Sequence, residues 1–244
     1  MPAIWEMQIQ GAAPPKKFCA VLVPHLGEVS SEWAVSLKNM QCPDGTQVFL
    51  SRGMPIDVTR EQMVKDILKE GFEWIFFLDS DVIMPNNTIP TLLSHNLPLV
   101  CGVYDAKKEG VYPAMWVRTK AEEKDAQGNI TTKEAFGAVA NWKGRMIKVD
   151  VIGCGCMLVH RSVFEKIRGK TDLPFFLWTK ERNRELMKKM NLPDPLMADV
   201  SEDFYFCMLA KQYAGVDIVV DTDIRCGHIA TMKLADGKAG IPGV

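Results

Sequence analysis

The apolar residues Trp74-Ile75-Phe76-Phe77-Leu78 are followed directly by Asp79-Ser80-Asp81, and this segment is the most informative about the fold. Five consecutive apolar residues without alternation are typical of a strand covered on both faces, as at the centre of a parallel sheet. The abrupt change to two carboxylates is typical of a polar site at the end of such a strand. The sequence therefore predicts an α/β protein with a functional site at residues 79–81.

Predicted strands and helices alternate around this central strand. Before it come strands at 18–23 and 46–50 and helices at 30–37 and 59–70, the second helix with Thr59 and Gln62 as a capping box. After it come a helix ending at 93, a strand at 97–103, a hairpin or excursion within 104–146, apolar runs at 148–152 and 157–160, helices at 161–167 and 201–213, and a strand at 218–220. This order predicts an open, mostly parallel, Rossmann-like sheet with helices on both faces, in which ligands bind outside the carboxyl ends of the strands.

Composition narrows the possible classes of protein. The chain has 244 residues and a net charge of −1, so no basic excess suggests a nucleic-acid partner. No apolar run reaches the ~18 residues of a membrane helix, and the start lacks a signal-peptide layout. The 7 cysteines are irregularly spaced, which favours reduced thiols. We expect a cytoplasmic protein.

The first triplet, Asp79-Ser80-Asp81, is a candidate metal site. Residues i and i+2 of an extended segment point the same way, so both carboxylates can face one cation. Mg²⁺ or Mn²⁺ prefers such oxygen ligands and bridges to phosphate. A turn is an equally good interpretation of three residues, and a second triplet, Asp221-Thr222-Asp223, also follows an apolar run.

The acidic pair Glu202-Asp203 has two interpretations. Acids at a helix start are favoured by the helix dipole, and Ser201 is a candidate cap. The functional interpretation is a general base that takes the proton of an attacking hydroxyl.

His228 is a candidate third metal ligand, and imidazole suits Mn²⁺ better than Mg²⁺. A zinc site of Cys154, Cys156, Cys226 and His228 is the rival interpretation, although its spacing fits poorly.

Basic and aromatic residues complete the candidates. Arg52 and Arg60 stand after a predicted strand and at a predicted helix start, where they can hold phosphate or a base edge, or belong to a solvated loop. Four aromatic residues can stack on a sugar or belong to the core, and these are Tyr104, Tyr112, Trp116 and Trp178.

Taken together, the motifs resemble those of GT-A fold glycosyltransferases, and among them family-2-like enzymes. The resemblance covers residues 18–229, and the matching pieces occur in the family's order. They are a strand ending in Pro24, a helix opening at Val58-Thr59-Arg60, the first triplet as a DxD motif, the segment 155–161, Ser201-Glu202-Asp203, and Cys226-Gly227-His228.

The resemblance implies a GT-A-like sheet, a nucleoside-diphosphate-sugar donor, and Mn²⁺ or Mg²⁺ held by Asp81 and His228, with Asp79 on the metal or the ribose. It implies Asp203 as the base of an inverting enzyme, with Glu202 as the fallback. The implied nucleotide-binding residues are Pro24, His25, Arg52, Arg60, Asp79 and Ser80, and the implied acceptor or sugar contacts are Tyr104, Gly155 and Trp178. The segment 24–28 lacks the family's usual acidic residue shortly after the first strand, which leaves the base of the nucleotide undetermined. The acceptor also stays open, and it can be a glycan, a lipid-linked molecule, a protein or a small molecule.

We predict an irregular leader at 1–17, a single catalytic domain at 18–228 with a nucleotide-binding half (18–103) and an acceptor half (104–228), and a flexible tail at 229–244. We expect the tail, and part of an insert at 169–200, to order over the donor. A sugar-phosphate nucleotidyltransferase and a non-catalytic nucleotide- or carbohydrate-binding module remain as alternatives.

Overall fold

The computed structural model describes residues 17–106, 113–124, 130–139, 141–179, 185, 200–229, 232–233 and 239–240. The predicted leader except Lys17, most of the tail, most of the insert and Tyr112 lie outside these residues. No described helix is long and apolar enough to cross a membrane.

The described strands are β1 (Cys19–His25), β2 (Thr46–Arg52), β3 (Trp74–Leu78), β4 (Val82–Ile83), β5 (Leu99–Val103), β6 (Met115–Lys124), β7 (Ile130–Ala138), β8 (Met146–Val149), β9 (Val151–Ile152), β10 (Cys156–His160), β11 (Ile218–Arg225), β12 (Gly227–His228), β13 (Met232–Lys233) and β14 (Ala239–Gly240). The helices are α1 (Ser31–Asn39), α2 (Ile56–Glu70), α3 (Thr88–Ser94), α4 (Arg161–Arg168) and α5 (Glu202–Leu209), which continues into a π-helical turn, Ala210–Ala214.

A 7-stranded sheet organises the protein, in the order β2-β1-β3-β10-β5-β11-β8. The pairs β1–β2, β1–β3 and β5–β11 are parallel, whereas β10 runs antiparallel between β3 and β5, and β8 is antiparallel at the edge. The predicted mostly parallel central sheet is confirmed. The predicted hairpin is β6–β7, which pairs with β9 in a separate 3-stranded sheet.

Both faces of the sheet are covered. Along β3, Ile75 and Phe77 point into one apolar cluster, which contains the buried faces of α2, α4 and α5. Trp74, Phe76 and Leu78 point into a second cluster with residues of α1 and α3. Each large side chain buried in this way contributes about 1.5–3 kcal/mol. Burial on both faces explains why β3 carries no polar residue.

The predicted capping box is wrong. Helix α2 begins at Ile56, with Pro55 before it, so Thr59 lies inside the first turns and its hydroxyl donates to the Pro55 carbonyl (3.3 Å). Gln62 instead donates to Asp66 one turn later (2.8 Å). The earlier start places Arg60 within the helix, on its buried side, instead of at its first residue.

The insert is attached beside the predicted site. Glu61 on α2 accepts hydrogen bonds from the Phe175 and Phe176 amides (2.7 and 3.1 Å), and the Thr179 amide donates to the Val200 carbonyl (3.1 Å). The chain thus leaves at Thr179 and returns at Val200, immediately before α5. These bonds fix the entry angle of the helix that carries Glu202 and Asp203.

Candidate active site

A cleft of about 280 Å³ opens at the carboxyl ends of β1, β2 and β3, facing the start of α5. Eight of the predicted site residues line it: Pro24, His25, Arg60, Asp79, Ser80, Asp81, Glu202 and Asp203. Its other lining residues, Leu26, Gly53, Met54 and Ile56, were not predicted. Leu26, Gly53 and Met54 belong to the loops after β1 and β2, and Ile56 begins α2; this position beyond the strand ends was the signal that could have identified them.

Arg60 is the centre of the cleft. Its guanidinium forms one ion pair with Asp79, at the end of β3, and another with Glu202, at the start of α5. Burial alone would lower the pKa of Arg60, but the charges of Asp79, Glu202 and Asp203 outweigh it and hold the pKa well above the ordinary value. The Arg60 Nε–H is buried without an acceptor among the described residues. Arg60 is thus a permanent buried cation that joins both halves of the site.

Apolar packing sets α5 over the end of β3. The ring of Phe206 stacks on Phe164 (centroids 5.4 Å apart) and on Phe176 (4.8 Å), and it lies 6.3 Å from Phe77. Phe77 is one residue before the last residue of β3, so this cluster fixes the distance between α5 and the first triplet. Truncating such a buried ring typically costs about 3–5 kcal/mol.

Glu202 and Asp203 differ in their surroundings. Burial and the neighbouring charge of Asp203 raise the pKa of Glu202 to about 7, against the charge of Arg60, which lowers it. Burial also raises the pKa of Asp203, against hydrogen bonds that lower it. Oδ1 of Asp203 accepts from the Ser201 hydroxyl and from the Phe204 amide (2.9 Å). Ser201 therefore contacts the acid at the helix start rather than capping the backbone.

Asp81 and His228 form the second pair of interest. Strand β12 lies beside β4, with His228 opposite Val82, and this pairing brings His228 Nε2 to 3.5 Å from Asp81 Oδ1. The other ring nitrogen, Nδ1, lies 2.6 Å from the Asp105 carbonyl oxygen. Because a carbonyl oxygen only accepts, Nδ1 is the donor in this contact, and Nε2 is the nitrogen that faces Asp81.

This pair fits a divalent metal. A carboxylate oxygen and an imidazole nitrogen whose other N–H is held by a backbone carbonyl are the arrangement found around metal-ligating histidines. Across the described ranges, no group of three or more His, Cys, Asp or Glu side chains is arranged to hold a metal. Asp79, the further predicted ligand, has its Oδ1 on Arg60.

The backbone of the first triplet is held from three sides. The Asp79 amide donates to the Gly155 carbonyl (3.3 Å), and the Trp33 indole donates to the Asp79 carbonyl (2.9 Å). The Ile229 amide donates to the Asp81 carbonyl (2.8 Å). Because these bonds come from the turn before β10, from α1 and from the residue after β12, the carboxylates are set on a well-held turn.

Other predicted contacts lie outside the lining of the cleft: Arg52, Tyr104, Gly155, Trp178 and His228. Tyr104 is buried, so stacking on a sugar is wrong for this ring. Trp178 is half-buried, and its amide donates to Asp57 at the start of α2 (3.0 Å). Arg52 is exposed and its guanidinium lies against Gly27 in the loop after β1.

Trp116 belongs to a half-buried aromatic group beside the site. Its ring lies 4.7 Å from Phe204, which also contacts Phe136 (5.4 Å). These rings join the β6–β7 hairpin to α5.

The second triplet is structural. Asp221 is fully buried, and its carboxylate accepts from Arg145 Nε and Nη2 (2.9 and 2.7 Å) and lies 2.8 Å from His95 Nε2. Arg145 also lies 3.3 Å from Asp223.

The alternative zinc site is disfavoured. Burial raises the pKa of the Cys154 thiol, which disfavours the thiolate that zinc needs.

A larger cavity of about 680 Å³ lies between α2 and α4, lined by residues that include Leu68, Phe164 and Phe175. Its charged residues stand at the rim, several of them paired with one another, such as Arg161 with Glu165. The smaller cleft is the better site because buried charges converge there.

Comparison with known proteins supports the fold. No protein-family model and no curated protein matches the chain. Among solved structures, A197 from STIV matches with a TM-score of 0.53 and 17% identity, over 93% of this chain and 94% of that one. The crystal structure of GalNAc-T7 with UDP, GalNAc and Mn²⁺ matches with a TM-score of 0.51 and 12% identity, over 88% of this chain and 44% of that one. A UDP-glucose pyrophosphorylase complexed with UDP-glucose matches with a TM-score of 0.43 and 8% identity, over 87% of this chain and 92% of that one, and this likeness supports no conclusion.

The protein therefore has a GT-A-like α/β fold, as the order of motifs predicted. At these identities the likeness establishes the fold alone.

Proposed function

We propose that the protein is a metal-dependent glycosyltransferase that moves a sugar from a nucleoside-diphosphate-sugar donor to an acceptor hydroxyl. The observation that carries this proposal is the double ion pair of Arg60, which joins Asp79 to Glu202 within one cleft. A strand-end carboxylate and an acidic helix start are thus held together by a buried cation. This arrangement suits a site in which two substrates meet.

The donor side is formed by the loops after β1 and β3. Pro24, His25 and Ser80 line the cleft where a nucleotide would lie, and Asp79 lines the same cleft while it pairs with Arg60. Arg60 was a predicted phosphate ligand, but its charge is already shared by two carboxylates. We assign it instead the role of holding Asp79 and Glu202 in place, with Asp79 directed at the ribose.

Asp81 and His228 would hold Mn²⁺ or Mg²⁺, and the nitrogen ligand favours Mn²⁺. The bound metal would supply Lewis-acid stabilisation of the leaving diphosphate. Because two protein ligands leave most of the coordination shell open, phosphate oxygens and water would complete it. The metal should therefore bind more tightly with nucleotide than alone.

Asp203 is the better candidate for the base. Glu202 is committed to Arg60, whereas both protein hydrogen bonds to Asp203 go to Oδ1. Oδ2 lies near the turn at Gly153, where an added Cβ would stand 3.4 Å from it. In an inverting transfer, Asp203 would accept the proton of the acceptor hydroxyl as that oxygen attacks the sugar.

The test is titration calorimetry of a panel of nucleoside diphosphates with and without Mn²⁺, together with hydrolysis of nucleotide sugars. We expect one base to bind in a Mn²⁺-dependent manner, Asp81→Ala to abolish the dependence, and Asp203→Asn to lower hydrolysis with little effect on nucleotide binding. Asp223→Ala is the matched control, since its carboxylate belongs to the second triplet. Absence of metal-dependent binding for every nucleotide would refute the proposal.

One observation favours the nucleotidyltransferase alternative. The loop after β1 carries no Lys or Arg of its own at 25–28, but Arg52 brings a positive charge against Gly27. Release of pyrophosphate from a nucleoside triphosphate and a sugar phosphate would establish that reaction. Metal-dependent binding with neither pyrophosphate release nor hydrolysis would establish a binding module.

A further inference from the structure

Tyr104 occupies the space between the two halves of the candidate site. It follows the last residue of β5, and its ring is buried close to Gly153 and Gly155. Burial and the nearby charges of Asp79 and Asp203 raise the pKa of its phenol well above the ordinary value, so the hydroxyl keeps its proton. The ring is a fixed neutral group among carboxylates.

The hydroxyl of Tyr104 holds the turn between β9 and β10. It accepts a hydrogen bond from the Gly155 amide (2.9 Å). A Cβ on Gly153 would stand 2.0 Å from that hydroxyl oxygen, and a Cβ on Gly155 would stand 2.9 Å from the ring carbon that bears it. Neither glycine has a positive φ, so both are required for space rather than for backbone conformation. The same Gly155 accepts from the Asp79 amide (3.3 Å), which connects the hydroxyl to the first triplet.

The ring of Tyr104 contacts the imidazole of His228. The two rings meet edge to face, with centroids 5.3 Å apart and planes at 84°. The next carbonyl along the chain, that of Asp105, lies 2.6 Å from Nδ1 of the same imidazole. Ring and carbonyl together fix which nitrogen of His228 faces Asp81.

We propose that Tyr104 is a positioning residue that sets Asp79 (the acidic side) and His228 (the metal side) relative to each other. Its hydroxyl acts on Asp79 through Gly155, and its ring acts on His228 directly. The metal side of this inference rests on the proposed function, whereas the two contacts themselves do not. The proposal separates the two parts of one side chain, so two substitutions should have different effects.

Nuclear magnetic resonance of the metal-free protein tests both contacts without any substrate. Two-bond proton–nitrogen spectra report the tautomer of each histidine, and His228→Gln assigns the signal. In the wild type and in Tyr104→Phe we expect His228 to be protonated on Nδ1, whereas Tyr104→Leu should show a mixture of tautomers. Amide exchange at Gly155 should accelerate about tenfold or more in Tyr104→Phe, since its acceptor is lost.

Mn²⁺ binding by the same proteins supplies the second readout. We expect Tyr104→Phe to bind Mn²⁺ within about twofold of the wild type, and Tyr104→Leu to bind it about 10–100-fold more weakly, the usual effect of losing a group that orients a ligand. Tyr205→Phe is the matched control, because Tyr205 is equally buried and its hydroxyl has no partner among the described residues. It should change neither readout.

The outcomes separate the two proposals. If the wild type binds no Mn²⁺ with or without nucleotide, the proposed function fails, and the tautomer and exchange measurements still decide the role of Tyr104. An Nδ1 tautomer that persists in Tyr104→Leu, or unchanged Gly155 exchange in Tyr104→Phe, would overturn the inference even if the protein proves to be a glycosyltransferase. Should Tyr104→Leu fail to fold, Tyr104→Phe alone tests the hydroxyl.

Discussion

Replacing Arg60 by methionine should destabilise the protein in a manner that depends on pH. Methionine fills the space of the arginine stem but removes the charge shared by Asp79 and Glu202. The side chains of Arg60 and Glu202 are only 4% and 8% exposed, whereas Asp79 is 26% exposed. The loss therefore falls mainly on Glu202, which water cannot easily reach.

The size of the effect follows from the options left to Glu202. Removing one partner of a buried ion pair typically costs about 3–5 kcal/mol. The pKa of Glu202 is already raised to about 7, so at neutral pH the carboxyl can take up a proton at little further cost. We therefore expect a loss of about 3 kcal/mol at pH 7, growing by up to ~1.4 kcal/mol for each pH unit above it. At pH 5 the Glu202 carboxyl is protonated in both the wild type and Arg60→Met, so the loss of stability caused by the substitution should be smallest there.

Urea unfolding followed by tryptophan fluorescence at pH 5, 7 and 8 measures this dependence. Adding Glu202→Gln to Arg60→Met should recover part of the loss at pH 8, since no buried charge then lacks a partner. Lys69→Met is the control, because its pair with Asp66 is largely exposed and contributes at most about 1 kcal/mol. A loss below about 1 kcal/mol at pH 8, or a loss that does not change with pH, would refute this account of the buried cation.

Three further predictions concern the same site. Asp81→Ala should weaken Mn²⁺ binding at least about tenfold, whereas Asp223→Ala should leave it unchanged. Equal effects of the two substitutions in calorimetry would contradict the assignment of the metal to the first triplet. The wild-type free energy of unfolding should fall as pH rises from 4.5 to about 7, because folded Glu202 keeps a proton that the unfolded chain releases. Glu202→Gln should reduce this total fall by up to about 3 kcal/mol. An unaltered fall in urea titrations would show that the pKa of Glu202 is not raised. Gly153→Ala should cost about 1–3 kcal/mol, since its Cβ would meet the Tyr104 hydroxyl; a thermal midpoint equal to the wild type would show that the turn yields freely.

The fold was predictable where local pattern and tertiary environment agree. The unbroken apolar run of β3 indicated burial on both faces, and the alternation of elements indicated the sheet. The insertion of β10 as an antiparallel strand between β3 and β5 was not predictable. An apolar run such as Cys156–His160 has the same pattern whichever way it runs, and its partners are chosen by long-range packing.

The site was predictable as a set of residues but not as a set of roles. Arg60 was a candidate phosphate ligand because it was expected to open a helix near a strand end. Its partner Glu202 lies 142 residues away, and only the packing of α5 on Phe77 brings them together. Tyr104 was placed among possible sugar contacts, since no sequence pattern tells whether a tyrosine after a strand faces inwards or outwards.

The two triplets show what a strand end contributes. Both follow apolar runs, and in both the carboxylates are two residues apart. Strand β3 stops at Leu78, so the first triplet lies in a turn whose carboxylates stand at the edge of the cleft. Strand β11 continues to Arg225, so the second triplet lies within the ladder, where Asp221 is buried and Arg145 reaches both carboxylates. Because i and i+2 share a face of a strand, the same spacing that suits one divalent metal also suits one guanidinium. The end of the strand, rather than the triplet, is therefore what leaves carboxylates available to a ligand.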